Sequence, residues 1–265
     1  MNKIGICWNA YSRLPCEEQI RLIKKNGFDA TFLDTYDSRW NEAMPLLRAN
    51  GIACESAHAP FGNINSIWMP GEEGDRMLEQ LIQAAELCSR DEVPVLVVHL
   101  SSGENAPRIG DVGNARFDKF MEAADHLGVQ IAFENLRKLG NLAYALEQYP
   151  QAGFCWDVGH ETCLTKELIR FMPLFGNRLT ALHLHDNHGG YDQDEHLLPY
   201  DGTIDMELTA KYLADCGYQK AITLEVLRGQ CSFYANVDAE TYYARAAAAA
   251  RKIADRVAYY RSEKK

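Results

Sequence analysis

The chain has 265 residues, 47% of them hydrophobic and 24% charged, which suits one α/β domain spanning 1–265 better than two small ones. Its formal net charge of −10 and isoelectric point near 5.3 set the field of the whole protein against a nucleic-acid partner. No stretch approaches the ~18 consecutive apolar residues of a membrane span, and the start Met1-Asn2-Lys3-Ile4-Gly5-Ile6 lacks a signal peptide's basic and apolar regions, so no membrane partner and a soluble cytoplasmic location are expected.

Short apolar runs rich in β-branched and aromatic residues begin near positions 4, 29, 52, 93, 129, 152, 179 and 221. Helical patterns separate them. In chain order the strands read IGICWN, DATFLDT, IACESAHA, VPVLVVHL, VQIAFEN, AGFCWDVGH, LTALHLHD and AITLEVL, which makes eight β-then-α units. Gly27, Gly51, Gly128 and Gly217 fall where helices should be capped before the next strand. A run such as Val93 to Leu100 implies a strand buried on both faces, as in a parallel sheet covered by helices. The count of eight and a length close to the usual ~250 residues favour a closed (β/α)8 TIM barrel over an open doubly wound sheet. No G-x-G-x-x-G follows the first strand, which weakens the dinucleotide-binding form of the open sheet.

Two long segments on the C-terminal side of the strands, Phe61 to Gly74 and His188 to Ile204, are expected to roof a site. The last helix, from Asp238 to about Ser262, carries the run Ala246 to Ala250; small residues there suit close packing against the barrel or a partner chain in a homo-oligomer, and helix propensity explains them equally. The eight cysteines (7, 16, 54, 88, 155, 163, 216 and 231) form no C-x-x-C pair. Buried reduced thiols are expected rather than a disulfide framework or a zinc knot.

Metal-binding side chains collect at strand ends. Seven of the eight histidines, at 58, 99, 160, 183, 185, 188 and 196, fall at or just past a predicted strand, and only His126 lies within a helix. Glu134, Asp157 and Glu225 join them. In a parallel barrel these ends converge on one mouth. Histidine and carboxylate without thiolate suit zinc, manganese, iron or cobalt in a catalytic site, zinc and manganese leading.

These motifs resemble the xylose isomerase-like barrels, which include endonuclease IV and the tagatose-epimerase type of sugar epimerase. The resemblance covers nearly the whole chain. H-A-P-F (His58), V-V-H-L (His99), F-E-N (Glu134), D-V-G-H (Asp157 and His160), H-L-H-D (His183), D-E-H (Asp194 and His196) and L-E-V (Glu225) are similar to the endonuclease's series of three-zinc ligands. That resemblance implies that Glu134 bridges two metals, one also held by His58 and His99, the other by Asp157, His183 and Glu225, while His160, Asp194 and His196 hold a third. The epimerases keep one metal on residues similar to Glu134, Asp157, His183 and Glu225, with the two glutamates as acid and base. One to three divalent ions per chain are thus implied.

Two activities fit such a site. An isomerase or epimerase of a small sugar would use the metal to polarise a carbonyl and the glutamates to move a proton through an enediolate. Trp8, Asn9, Phe61 and Trp68 are placed to wall its pocket, although aromatic residues also pack under loops. His185 is a further substrate-side candidate; it and Asp186 could equally orient His183 or close a strand end, and His188 reads as a loop residue. A phosphodiesterase acting on abasic DNA would need basic loops, yet the segment 189–204 carries Asp192, Asp194, Glu195 and Asp201 and no basic residue. Arg137 and Arg228 are the available candidates for a substrate phosphate. The expected partner is therefore a small sugar, and nucleic acid is disfavoured.

Overall fold

The computed structural model describes residues 2–11, 14–165, 170–230 and 232–264; Cys231 lies outside them. Strand and helix alternate as the apolar rhythm predicts. The order is β1 (Ile4–Cys7), α1 (Cys16–Lys25), β2 (Ala30–Asp34), α2 (Trp40–Ala49), β3 (Ala53–His58), α3 (Glu72–Arg90), β4 (Val95–Val98), α4 (Asp111–His126), β5 (Gln130–Glu134), α5 (Leu139–Gln148), β6 (Gly153–Asp157), α6 (Val158–Cys163), α7 (Met172–Phe175), β7 (Leu179–His183), α8 (Met206–Asp215), β8 (Ile222–Leu224) and α9 (Ala239–Ser262). The four glycines expected as caps all take φ between +66° and +74°, the left-handed conformation in which a Cβ is penalised.

The strands pair in parallel in the order β7-β6-β5-β4-β3-β2-β1-β8. Closure comes at the β7/β8 seam, where the amide of Leu184 donates to Thr223 O at 3.1 Å and that of Glu225 to Leu184 O at 3.0 Å. The result is the TIM barrel. Strand residues alternate between its interior and its helix-facing side. Val95, Val97, Ala132, Cys155 and Ala181 form a separate apolar cluster inside, while Leu96, Val98, Phe133, Phe154, Trp156 and Leu182 belong to the large cluster under the helices. The inner residues are small, so they make a floor below the polar side chains two positions further along each strand.

α9 packs along α8, β1 and β8. Ala246, Ala247 and Ala250 are buried in that contact, so the alanine run serves packing within the chain. The seven described cysteines are free thiols. No helix among the described residues is long and apolar enough to cross a membrane.

Candidate active site

The alternation that builds the floor also builds the site. At its C-terminal end each strand contributes one inward side chain: Cys7, Asp34, His58, His99, Glu134, Asp157, His183 and Glu225. Above the floor they surround a cavity of about 310 Å3 that Trp8, Asn9, Phe32, Tyr36, Phe61, His160, Asp194, His196, Leu227 and Gln230 also line. Asp157 and His183 are fully buried beneath it.

Glu134, 2% exposed, is the hub. Its Oε2 lies 3.2 Å from His58 Nε2, 3.3 Å from His99 Nε2 and 3.4 Å from His183 Nδ1, and its Oε1 lies 2.9 Å from His160 Nδ1. Glu225 Oε2 approaches His183 Nδ1 at 3.1 Å from the far side. His58 is aimed by its other nitrogen, Nδ1, 2.7 Å from Ala59 O; His196 Nδ1 is likewise anchored on Glu225 O at 2.9 Å. Phe32 stacks on His183 with centroids 4.4 Å apart.

The D-V-G-H spacing has a mechanical meaning. Asp157 is the N-cap of α6, accepting the amide of His160 at 2.6 Å, so one carboxylate oxygen is fixed by the helix end and Oδ2 stays free. Gly159 lies between them because a Cβ there would overlap the His185 ring. Asn135, which sequence reasoning passed over, clamps the same aspartate: its Nδ2 donates to Asp157 O and its Oδ1 accepts from Asp157 N, both at 2.8 Å.

Burial pushes the Glu134 carboxyl up, but His99, His183 and His160 outweigh it and hold it well below the usual range. Against the same burial, His183 pulls Glu225 down, and His160 and His196 pull Asp194 down. Burial opposes a charged imidazole, yet Asp194 lifts His196 to about 9, and Asp157, Asp194 and Glu134 raise His160. Burial and its histidine neighbours lower His99 even though Glu134 favours its charged form. The cluster demands positive charge, which protons or bound cations can supply.

Four groups have ligand atoms within 4.8 Å of one another: His58, His99 and Glu134; Glu134, Asp157, His183 and Glu225; Glu134, Cys155 and His183; and His185, Asp194 and His196. A divalent ion fits this arrangement. His99 Nδ1, Asp157 Oδ2 and His183 Nε2 are buried without a hydrogen-bond partner, and each such atom costs roughly 1–3 kcal/mol until something engages it; His183 Nδ1, Glu225 Oε2 and His185 Nε2 meet only the ring's own charged groups, at 3.1–3.4 Å.

The structure thus brings together all nine residues singled out as ligands, with one rearrangement. The group around Asp194 has His185 where the resemblance implied His160. His185 Nε2 lies 3.1 Å from Asp157 Oδ1 and 3.4 Å from Asp194 Oδ1, and its ring stacks on His196 at 4.1 Å. It is fully buried and does not line the cavity as a substrate-side residue. His160 instead spans Glu134 and, through Nε2, Asp194 at 3.2 Å. Trp8, Asn9 and Phe61 do line the cavity. Trp68 does not: its indole donates to Leu100 O at 2.6 Å and packs on Phe117, under the 3-10 turn Ile64–Trp68. Of the segment Phe61 to Gly74 only Phe61 lines the cavity, its ring centre 4.7 Å from that of His99. Arg137 pairs with Asp192 and Arg228 donates to Ala235 O at 2.6 Å, so both point to loops. His188 pairs with Glu195 at 2.9 Å. Asp34, Tyr36 and Gln230 line the cavity unforeseen; Asp34 was findable, as the polar end of an inward-facing F-L-D alternation.

Comparison with known proteins agrees with this architecture. An uncharacterized protein of Sinorhizobium fredii is 28% identical over 197 residues, 68% of this chain and 61% of that protein. An uncharacterized protein of Methanocaldococcus jannaschii is 26% identical over 185 residues, 63% of this chain and 62% of that one. The chain spans about three fifths of the length of the curated relatives it matches. Among solved structures, D-psicose 3-epimerase from Clostridium cellulolyticum H10 with D-tagatose superposes with a TM-score of 0.75 at 16% identity over 98% of this chain and 99% of that one. L-ribulose 3-epimerase gives 0.77 at 16% identity over 100% and 97%, and the IOLI protein, with a binding zinc atom, 0.75 at 16% over 97% and 99%. At these identities the likeness is one of fold. Residues 20–255 match the family model described as xylose isomerase-like TIM barrel, and with strands, closure and strand-end ring in agreement, the chain belongs to that family.

Proposed function

We propose that the protein is a divalent-metal-dependent isomerase or epimerase of a small sugar or sugar derivative. One observation carries this reading: Glu134 and Glu225, on β5 and β8, face one small cavity from strands three places apart around the barrel and share a candidate metal group with Asp157 and His183. Zinc or manganese suits that donor set, and when bound it would supply Lewis-acid polarisation of a substrate carbonyl. The sugar epimerases among proteins of the same fold support the choice, as does a cavity of about 310 Å3, at the small end of ligand pockets.

The chain's own residues do the rest. Trp8 and Phe61 wall the cavity with apolar surface against which a sugar ring or chain can lie. One glutamate removes a proton from the carbon beside the carbonyl; the other returns a proton to the opposite face of the resulting enediolate. His183 lies between them, 3.4 Å from Glu134 Oε2 and 3.1 Å from Glu225 Oε2, and favours the ionised form of whichever glutamate acts as base; the other enters the cycle carrying the proton it delivers, and the two exchange protons with solvent before the next turnover.

The test is wash-in of solvent deuterium at a substrate C–H across a ketose and aldose panel, with the protein loaded with manganese or zinc. Glu134→Gln and Glu225→Gln should each lower exchange by about 100-fold or more without loss of fold by circular dichroism. Silence across the panel would sink the reading.

A second reading rests on the two further groups, His58, His99 and Glu134, and His185, Asp194 and His196: a multi-metal phosphodiesterase acting on abasic DNA. The acidic loop opposes it less than its composition suggests, since Asp192 pairs with Arg137, Glu195 with His188 and Asp201 with Arg245. Elemental analysis separates the readings. Nearly three zinc ions per chain together with nicking of an abasic duplex would favour the phosphodiesterase; one manganese without nicking, the isomerase.

A further inference from the structure

Of the inward strand-end carboxylates, Asp34 is the one that none of the candidate metal groups contains. It lines the cavity at the end of β2, in register with His58 on β3, on the side away from Glu134. A chain of contacts fixes what it faces. Arg39 donates to Asn9 Oδ1 at 2.6 Å, which holds that amide in one orientation. Asn9 Nδ2 is thereby turned to Asp34 Oδ2, 3.4 Å away. Arg39 is itself held by Asp37 at 2.7 and 3.1 Å and by Leu14 O at 3.2 Å, and its guanidinium lies 6.0 Å from the centre of the Trp8 ring. Its charge is therefore taken up behind the wall. No lysine or arginine among the described residues lines the cavity.

Asp34 thus has one long hydrogen bond, from Asn9, and a second partner in the hydroxyl of Tyr36, itself a cavity residue, while burial and the nearby Glu225 push its carboxyl up. Such a group accepts hydrogen bonds from hydroxyls. Asp34 has nothing to offer an anion, and Glu225, two strands away on the other side of β1, is a second acid at the same mouth. The geometry points to Asp34 as a specificity-determining residue that accepts hydrogen bonds from the sugar hydroxyls remote from the proton-transfer carbons and turns away substrates bearing a phosphate or carboxylate there. The assignment rests on the isomerase reading of the same cavity. Asn9 acts through Asp34 as a positioning residue.

The test uses metal-loaded protein with free ketoses and their terminal phosphates, D-fructose against D-fructose 6-phosphate and D-ribulose against D-ribulose 5-phosphate. Deuterium exchange and calorimetric binding are both measured. Wild type should prefer the free sugar by about tenfold or more in kcat/KM. Asp34→Ala should raise KM for the free ketose by about tenfold or more, the size of a lost charge-assisted hydrogen bond, with kcat within a few fold. Asp34→Asn, which keeps the shape and part of the hydrogen bonding, should fall between and narrow the discrimination against the phosphate. Equal or better turnover of the phosphates, or an unchanged KM in Asp34→Ala, overturns the assignment and leaves the isomerase reading standing. If free ketoses bind without exchange, that reading fails, and Asp34 is judged by whether Asp34→Ala weakens binding. If no ketose of either kind binds, both fail.

Discussion

Glu134 shows how far a single residue can be read in advance and where that stops. Its position in F-E-N, at the end of an apolar run, marks it as chemistry because a carboxylate is out of place in a buried strand unless something is paired with it. The asparagine beside it gives no such signal, because its partners are the backbone atoms of Asp157 and backbone partners leave no trace in side-chain spacing. Asn135→Ala leaves that buried N–H and C=O unsatisfied; it should lower stability by roughly 2–4 kcal/mol and loosen metal retention, read by denaturant unfolding and by metal content after dialysis. An unaltered midpoint would show that the clamp is dispensable. His185 failed to declare itself for a related reason: two histidines two residues apart, at the end of β7 and just past it, look alike in sequence, and only the close approach of α6 at Gly159 decides that the second turns to Asp157 and Asp194.

Among the elements, the segment after β7 is the most informative. Its length marked it as functional, and it does bring Asp194 and His196 to the cavity. What holds it is Asp186, fully buried, whose carboxylate accepts the amides of Asn187 at 2.8 Å and of Tyr200, Gly202 and Ile204 at 3.0 Å each. Gly202 must lack a side chain, since a Cβ would run into that carboxylate. This role was illegible because its donors lie up to 18 residues away and are main-chain groups. Asp186→Ala should make the chain between 188 and 204 a site of rapid limited proteolysis and lower stability by about 2–4 kcal/mol. Asp186→Asn should rescue little, because its amide nitrogen cannot accept hydrogen bonds. Protease resistance like that of wild type would refute this account of the loop. The helices needed less: their ends were marked by glycine and their lengths by apolar period, cues that need no tertiary partner.

For the whole molecule, the eight-unit rhythm made the barrel legible because each unit repeats the same local physics. Its closure at the β7/β8 seam could only be inferred from the count. The charge balance of the centre is likewise a property of the assembled protein. With no cation bound, His196, raised to about 9 by Asp194 against its own burial, contributes stability that is complete below an unfolded value of ~6.5 and lost as pH rises through about 9. Asp194, held down by His160 and His196, contributes above ~3.9 and loses it as pH falls further. In the metal-free protein this pair should therefore contribute most between about pH 4 and 6.5 and lose up to ~3 kcal/mol by pH 9. Zinc or manganese at a hundredfold excess over Kd should add about 2.7 kcal/mol and flatten the alkaline side, with Tm measured against pH in chelator and in metal. Identical profiles in both would argue against cation binding.

The strand-end ring has a consequence for the order of events during folding. Its members come one from each strand, and the group of Glu134, Asp157, His183 and Glu225 draws on β5, β6, β7 and β8. No early intermediate built from the N-terminal units can hold a cation there, because the last ligand arrives only when β8 docks between β7 and β1. On the metal-dependent reading, cation capture is then a late checkpoint: a chain that stalls before the seam shuts exposes thiols and histidines but no competent centre, and a burst of high-affinity uptake in a refolding trace would time the shutting of the barrel.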